Sequence, residues 1–291
     1  MGMTTTMIHK CSMRKSEFIA IAAAGLLASC SFYGYEKNRI EGERQTTYQT
    51  EINSKAKALG AAPDFSAITE TRLKKQTFFD YLRPGIALEN ERVKKERKRL
   101  EAIQTSFDAG NLTSSELSDA KRLGRLYNLN LAEEGITQSW LDKMRHRVDV
   151  IPEALVLVQA ANESAWGTSR FATKANNYFG QWCYSKGCGL VPLKRSEGMT
   201  HEVAKFASAQ QSIHGYFMNV NRNKAYHELR EIRYQRHTQG ESLIDTEAAM
   251  ALANGLLKYS ERGEAYVNDL QSMIRHNKQF WEGNSQSSAS R

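Results

Sequence analysis

Apolar residues recur at helical spacing along most of the chain after residue 70. In 71–109 they lie on one face and charged residues on the other. Pro84-Gly85 predicts a break or a kink there, giving a short helix followed by a long one. "TSSELSDAKRLGRLY" predicts a helix capped by Ser114 or Ser115 ahead of Glu116. Further helices are predicted at "TQSWLDKMRHRV" and over residues 208–221, 224–236, 246–258 and 263–280.

The segment that follows Pro152 is apolar almost throughout. Its run Leu-Val-Leu-Val is also compatible with a buried strand. Its length, its proline start and Ala160-Ala161 favour a helix that is buried on all sides. The run ends at Glu163, so an ionisable acid stands where burial penalises its charge.

Residues 177–207 are rich in glycine and aromatic residues, with short extended pieces near 190–194 and 202–206. This pattern is typical of a small hairpin lobe. The predicted fold class is therefore α+β, mainly α, with a helical domain and a small β-hairpin lobe. The folded domain is expected over 71–282, and the serine-rich tail 283–291 is predicted to be disordered.

The composition fits a soluble globular protein, with 41% hydrophobic residues in 291 and a formal net charge of +8. A basic balance suggests an acidic partner such as nucleic acid, an anionic membrane or an anionic polymer. The sequence has no zinc-finger spacing and no Lys/Arg cluster interleaved with aromatic residues. Nucleic acid is therefore not the expected partner.

The N-terminus resembles an export signal. Three basic residues precede an apolar run over 18–27 that is too short to span a bilayer. The run ends in Leu27-Ala28-Ser29-Cys30, which resembles the lipobox of bacterial lipoproteins. The alternative is ordinary cleavage near Ala28, with Cys30 incidental.

From this pattern we expect residues 1–29 to be a signal peptide and Cys30 to be lipidated. The polar segment 30–70 would be a tether. Ser31 after the cysteine favours the outer membrane of a Gram-negative cell. The expected location is the cell envelope, on the periplasmic side, with a lipid anchor in the membrane.

Cys183 and Cys188 are the cysteines left for the exported domain. A disulfide is the default in an oxidising compartment. The alternative is a metal site, but two thiols need two more ligands, and His201 is the histidine nearest to them.

Glu163 next to an aromatic-rich lobe fits a carbohydrate cleft. Cleavage of a glycosidic bond needs a proton on the leaving oxygen, and an apolar pocket keeps a glutamate protonated near neutral pH. The alternative is a solvent-exposed glutamate at the end of a helix.

The runs "QAANESAWGTSRFA" and "NNYFGQW" resemble the glucosaminidase-type peptidoglycan hydrolases of glycoside hydrolase family 73. The family pattern is close to Q-A-x-x-E-S-x-W-G-x-S followed by N-x-F-G, and the resemblance covers about 74–282. Ala165 departs from it, since the family often has glycine there. The matching positions are Gln159, Ala160, Glu163, Ser164, Trp166, Gly167, Ser169, Asn177, Phe179 and Gly180.

The resemblance implies a lysozyme-like helical domain with Glu163 as the general acid. It also implies a cleft-facing tyrosine in a Y-x-x-x-L segment, matched by Tyr266 and Leu270, although Gly263-Glu264 stands where the family often has Asp-Pro. A second carboxylate is expected on the hairpin in some members. Glu197 aligns loosely with it, and Glu202 lies in the same region.

Several residues near the motif are candidates for binding sugar, since flat rings suit the apolar faces of pyranoses. Core packing is the alternative for the rings. Asn177 is a candidate for hydrogen bonding to an acetamido group. The candidate rings are Trp166, Tyr178, Trp182 and Tyr184.

The expected function is an endo-β-N-acetylglucosaminidase that cuts the β-1,4 bond between N-acetylglucosamine and N-acetylmuramic acid. The alternatives are a muramidase or lytic transglycosylase on the same polymer, and a non-catalytic wall-binding lipoprotein. We expect peptidoglycan glycan strands as partners, a monomer, and no metal or other cofactor.

Overall fold

A computed structural model describes residues 59–193 and 200–282 of the chain. The predicted signal peptide, the lipidation site Cys30, most of the tether, Glu197 and the tail lie outside these ranges. The described part is mainly helical with one small antiparallel sheet, which confirms the predicted fold class. None of its helices is both long and apolar enough to cross a membrane.

Ten α-helices follow one another in the described residues, with 3-10 turns at Lys224–Tyr226 and Asn254–Leu256. The helices are α1 Thr71–Asp108, α2 Ser114–Leu126, α3 Gln138–Arg147, α4 Glu153–Ser164, α5 Arg170–Ala175, α6 Ala209–Arg222, α7 His227–Thr238, α8 Thr246–Ala253, α9 Glu264–Asn277 and α10 Gln279–Glu282.

Helix α1 runs without a break through Pro84, so the predicted division into two helices is wrong. Proline inside a helix costs about 3 kcal/mol. The cost is offset because α1 buries apolar residues on both sides of Pro84, including Leu82 and Ile86. Gly85 lets α6 approach closely: a Cβ there would lie 2.7 Å from Ile213 Cδ1.

Helix α2 begins one residue earlier than the predicted caps require. Its N-cap is Thr113, whose hydroxyl accepts from the Glu116 amide at 3.2 Å, while the Glu116 carboxylate accepts from the Thr113 amide at 2.8 Å. The two contacts form the expected capping box with a different first residue. Ser114 and Ser115 lie within the first turn.

The folded unit includes residues 59–70, which the sequence assigned to the tether. Leu59 and Phe65 are buried in the hydrophobic core. The Phe65 ring lies 5.4 Å from the Phe78 ring of α1. Two apolar residues in a polar segment carry no helical period, so the pattern gave no sign of this packing.

Helix α4 is the core of the domain. Residues 154–161 are buried on every side, as predicted, and the strand alternative is excluded. The helix packs against α1, α8 and α9. A helix held on all sides fixes the position of Glu163, which is the last residue but one of α4.

The sheet has three strands: β1 Trp182–Cys183, β2 Gly189–Leu190 and β3 Glu202–Ala204. The order β1-β3-β2 places β3 in the centre, with both neighbours antiparallel to it. β1 and β2 are therefore not a hairpin, although they are consecutive. The Cys183–Cys188 disulfide closes the loop between them, which is the predicted pairing.

Candidate active site

The motif around Glu163 ends α4 in a sharp left-handed turn. Ala165, Trp166 and Gly167 follow one another at φ values of 50°, 58° and 78°. The Ser164 hydroxyl donates to the Ala160 carbonyl at 2.6 Å and accepts from the Gly167 amide at 2.9 Å. These contacts supply the partners that the end of the helix lacks.

Gly167 and Trp166 fix this turn against the N-terminal part of the domain. A Cβ on Gly167 would lie 2.4 Å from Phe65 Cδ2, so the position needs glycine for space as well as for its positive φ. The Trp166 ring is half-buried and packs 5.3 Å from the Phe79 ring. Lys75 Nζ lies 5.2 Å from the centre of the Trp166 ring. Trp166 thus anchors the turn to α1.

Glu163 is partly buried among neutral groups. Burial raises the pKa of its carboxyl, although two hydrogen bonds oppose that shift. Tyr266 Oη donates to Oε1 at 3.0 Å, and Asn162 Nδ2 donates to the same oxygen at 3.3 Å. A carboxyl whose pKa burial raises above the usual value is the kind of group that general acid catalysis uses.

Tyr266 lies in the first turn of α9 and is itself buried. Its ring stacks on Tyr259 with ring centres 5.3 Å apart. Burial and the nearby Glu163 charge hold the pKa of Tyr266 well above its usual value, so the hydroxyl remains a donor. Glu163 and Tyr266 are 103 residues apart in sequence and meet directly.

The N-x-F-G run places a glycine against the other carboxyl oxygen. Asn177 is buried, and its amide donates to the carbonyls of Gln181 and Ala204, both at 2.9 Å. This holds the loop in which Gly180 adopts a φ of 63°. A Cβ on Gly180 would lie 3.4 Å from Glu163 Oε2, so the glycine leaves space beside that oxygen. Asn177 therefore shapes the loop, and its amide is engaged with backbone.

The candidate sugar-binding rings fall into two groups. Trp182 and Tyr184 lie on the sheet lobe and are 53% and 74% exposed. The exposed Trp182 ring stacks on His201 at 4.0 Å. Tyr178 is buried and packs beside the rings of Phe78 and Tyr81. The lobe pair is open to a ligand, whereas Tyr178 faces the core.

Glu202 has a place in the sheet lobe that explains its burial. Its carboxylate accepts from the Gly187 amide at 2.9 Å and from the Gly189 amide at 2.8 Å. Gly187 lies in the loop that the disulfide closes, and Gly189 is the first residue of β2. These hydrogen bonds give Glu202 a structural role in the sheet lobe. Glu197, the other candidate for a second carboxylate, lies outside the described residues.

Part of the chain is similar in sequence to known proteins. Residues 138–279 match the family model described as "Glucosaminidase: Mannosyl-glycoprotein endo-beta-N-acetylglucosaminidase". They form a domain of the glucosaminidase family. The chain is also 27% identical over 236 residues to "Protein bax" of Escherichia coli (strain K12), covering 81% of each chain. No solved structure matches the chain significantly.

The glucosaminidase domain assigns the chain to the glycoside hydrolases, in a class related to peptidoglycan. The matched region contains Glu163, Gly180 and Tyr266, whereas Phe65, which packs against the turn after Glu163, lies outside it. The matched region therefore depends on preceding residues for its packing.

Two buried residues beside the site received no role from the sequence. Gln159 lies one turn before Glu163 in α4, and Tyr216 lies in α6. Gln159 belongs to the quoted motif, which was the available signal. Tyr216 carried none, because a tyrosine at a core position of a helix does not show what its hydroxyl contacts.

Proposed function

We propose that this protein is an endo-β-N-acetylglucosaminidase that cuts the β-1,4 bond between N-acetylglucosamine and N-acetylmuramic acid in peptidoglycan. Glu163 is the general acid. The observation that supports this role most directly is a carboxyl at the rigid end of α4, with a pKa raised by burial and with neutral donors on one oxygen. Such a group can protonate the departing sugar oxygen.

We assign different roles to the remaining residues of the site. Trp182 and Tyr184 offer exposed rings on which the faces of two sugar units can stack. We assign Tyr266 to the carboxyl of Glu163, and Asn177, Tyr178 and Trp166 to the support of the cleft. Glu197 is our candidate for the second carboxylate.

The decisive experiment measures turnover of purified sacculi by Glu163→Gln. The amide keeps the shape but is far too weak an acid to give up a proton, so the rate should fall by at least ~100-fold while binding to sacculi persists. Glu228→Gln, on the exposed face of α7, controls for the loss of one negative charge. A folded Glu163→Gln protein with near wild-type turnover would refute the proposal.

A thermal melt of the same variant has a predicted sign. An acid whose folded pKa is raised costs stability as the pH rises from its ordinary value of 4.5 through the raised value. The amide does not bear that cost. Glu163→Gln should therefore melt at a higher temperature than the wild type at pH 7, and the difference should disappear below about pH 4.

The new chain ends discriminate between the alternatives. A glucosaminidase leaves reducing N-acetylglucosamine, a muramidase leaves reducing N-acetylmuramic acid, and a lytic transglycosylase leaves an anhydromuramic end. Mass spectrometry of the digest should show the first. Intact sacculi after treatment with wild-type protein would instead favour a non-catalytic wall-binding lipoprotein.

We also propose that the protein acts in the cell envelope, on the periplasmic side, anchored by lipid at Cys30. The support is the sequence Leu27-Ala28-Ser29-Cys30 after a short apolar run. Cys30→Ala should abolish lipid labelling and release the protein from membranes. Unchanged labelling and fractionation in that variant would contradict the anchor.

A further inference from the structure

A chain of hydrogen bonds runs from the domain interior to Glu163. Tyr216 Oη donates to Gln159 Oε1 at 2.5 Å, and Gln159 Nε2 donates to Tyr266 Oη at 3.1 Å. Tyr266 Oη then donates to Glu163 Oε1 at 3.0 Å. Gln159, Tyr216 and Tyr266 are each at most 2% exposed, so water does not compete for these contacts.

The donors and acceptors in this series of hydrogen bonds fix the orientation of the Tyr266 O–H group. Its oxygen faces the Gln159 –NH2 group, which can only donate. The hydroxyl hydrogen therefore turns toward Glu163. If the Gln159 amide were reversed, its oxygen would face Tyr266 and would compete with Glu163 for that hydrogen. Tyr216 opposes the reversal because its hydroxyl hydrogen needs the Gln159 oxygen.

The two oxygens of Glu163 consequently differ. Oε1 accepts two hydrogen bonds, from Tyr266 and Asn162. Oε2 lies beside Gly180, where a Cβ would come within 3.4 Å of it. A leaving oxygen must approach the acid to about 2.6–3.2 Å, and a side chain at Gly180 would occupy that approach.

We propose that Gln159, oriented by Tyr216, is a positioning residue that directs the Tyr266 hydroxyl to Glu163 Oε1 and so places the catalytic proton on Oε2, beside Gly180. This inference rests on the proposed function, because it assigns the oxygen that serves the general acid. In the step itself, the Oε2–H bond breaks and the proton forms an O–H bond with the glycosidic oxygen. The bond between that oxygen and the anomeric carbon breaks, and its electron pair stays on the departing oxygen. Water then supplies a hydroxyl to the anomeric carbon, and the remaining proton of that water balances the one that Glu163 gave up.

The groups around Glu163 make the pH dependence of activity a suitable measure of its pKa. Within the described residues, the titratable groups coupled to Glu163 are tyrosines with pKa values raised by burial, so they stay neutral while Glu163 titrates. The hydrogen bond from Tyr266 lowers the pKa of Glu163. Weakening it should raise that pKa further. The tyrosines are Tyr216, Tyr226, Tyr259 and Tyr266.

The experiment compares pH profiles of kcat/KM on a soluble glycan substrate for Tyr216→Phe, Tyr266→Phe and the double variant. The alkaline limb reports the loss of the proton from Glu163 in the free enzyme. Tyr266→Phe should move this limb to higher pH, and Tyr216→Phe should move it less in the same direction. Tyr216→Phe should also lower kcat by roughly 3- to 10-fold with KM unchanged, as expected for one hydrogen bond.

The double variant tests whether the two tyrosines act in series. The alkaline limb of its pH profile should coincide with that of Tyr266→Phe alone, because Tyr216 and Gln159 act on Glu163 through the Tyr266 hydroxyl. Gln159→Met keeps the length of the side chain and removes both the –NH2 group that orients the Tyr266 hydroxyl and the oxygen that could compete for its hydrogen, so it should move the limb no more than Tyr216→Phe does. Tyr226→Phe removes a neighbouring buried hydroxyl, bonded to Asn219, and should leave the limb in place.

Two outcomes would overturn the proposed positioning role of Gln159 and Tyr216. One is a Tyr216→Phe protein that loses rate without any movement of the limb, and the other is an equal movement in the presence and absence of Tyr266. Loss of activity in Glu163→Gln together with either outcome would leave the proposed function standing. Retained activity in Glu163→Gln would instead remove the proposed function itself.

Discussion

Ala165 holds a backbone conformation that disfavours its own side chain. Its φ of 50° and ψ of 51° lie in the left-handed region, where a Cβ approaches the carbonyl oxygen. At this position the family pattern often has glycine. In the structure the side chain is exposed, so the consequence lies in the backbone.

Ala165→Gly should therefore raise the free energy of unfolding by about 1 kcal/mol, measured by chemical denaturation. Ala109→Gly is a matched control, because Ala109 is also exposed at the end of a helix but has a φ of −82°. It should lose about 0.5–1 kcal/mol. Equal losses in the two variants would show that Ala165 is unstrained.

Sequence reasoning singled out Glu163 but not the arrangement of side chains around it. An apolar run ending in Glu163 suggested an acid with a raised pKa, and the family resemblance supplied Tyr266. The hydroxyl of Tyr216 could not be assigned, because its contact with Gln159 joins positions 57 residues apart. A pattern along one helix shows which face is buried and does not show which polar atoms meet there.

At the scale of elements, local signals located the helices and failed where tertiary packing outweighed them. Pro84 is an ordinary helix breaker, yet α1 continues because its faces are buried against other helices. The predicted hairpin lobe is present, because the consecutive strands β2 and β3 pair antiparallel near the predicted extended pieces. The pattern did not predict β1, which pairs with the other edge of β3.

Glu202→Gln tests what holds the sheet lobe. Both carboxylate oxygens accept backbone N–H groups, and an amide would turn its –NH2 group toward one of them. The free energy of unfolding should fall by about 1–3 kcal/mol. Glu197→Gln should lower turnover without this loss of stability. The opposite pattern, with Glu197 costing stability and Glu202 costing only rate, would exchange their roles.

At the scale of the whole domain, the site is assembled from parts that lie far apart in sequence. Glu163 comes from α4, Tyr266 from α9, Gly180 from the loop before the sheet, and Phe65 from the segment before α1. No local pattern predicts such a meeting, whereas the resemblance to a known family does so for the residues of its motifs. Phe65 lies outside those motifs and was assigned to the tether.

Phe65 gives the last prediction, because it connects this N-terminal segment to the active-site turn. Its ring is 2% exposed, packs 5.4 Å from the Phe78 ring and occupies the space over Gly167. Phe65→Ala should lower the free energy of unfolding by about 3–5 kcal/mol. Because the cavity would open beneath the turn that follows Glu163, turnover of sacculi should fall even where the variant remains folded. Phe65→Leu should retain most of both properties, and Leu73→Ala, at a position 55% exposed on α1, should change neither. If Phe65→Ala were as stable and active as the wild type, residues 59–70 would be a tether after all.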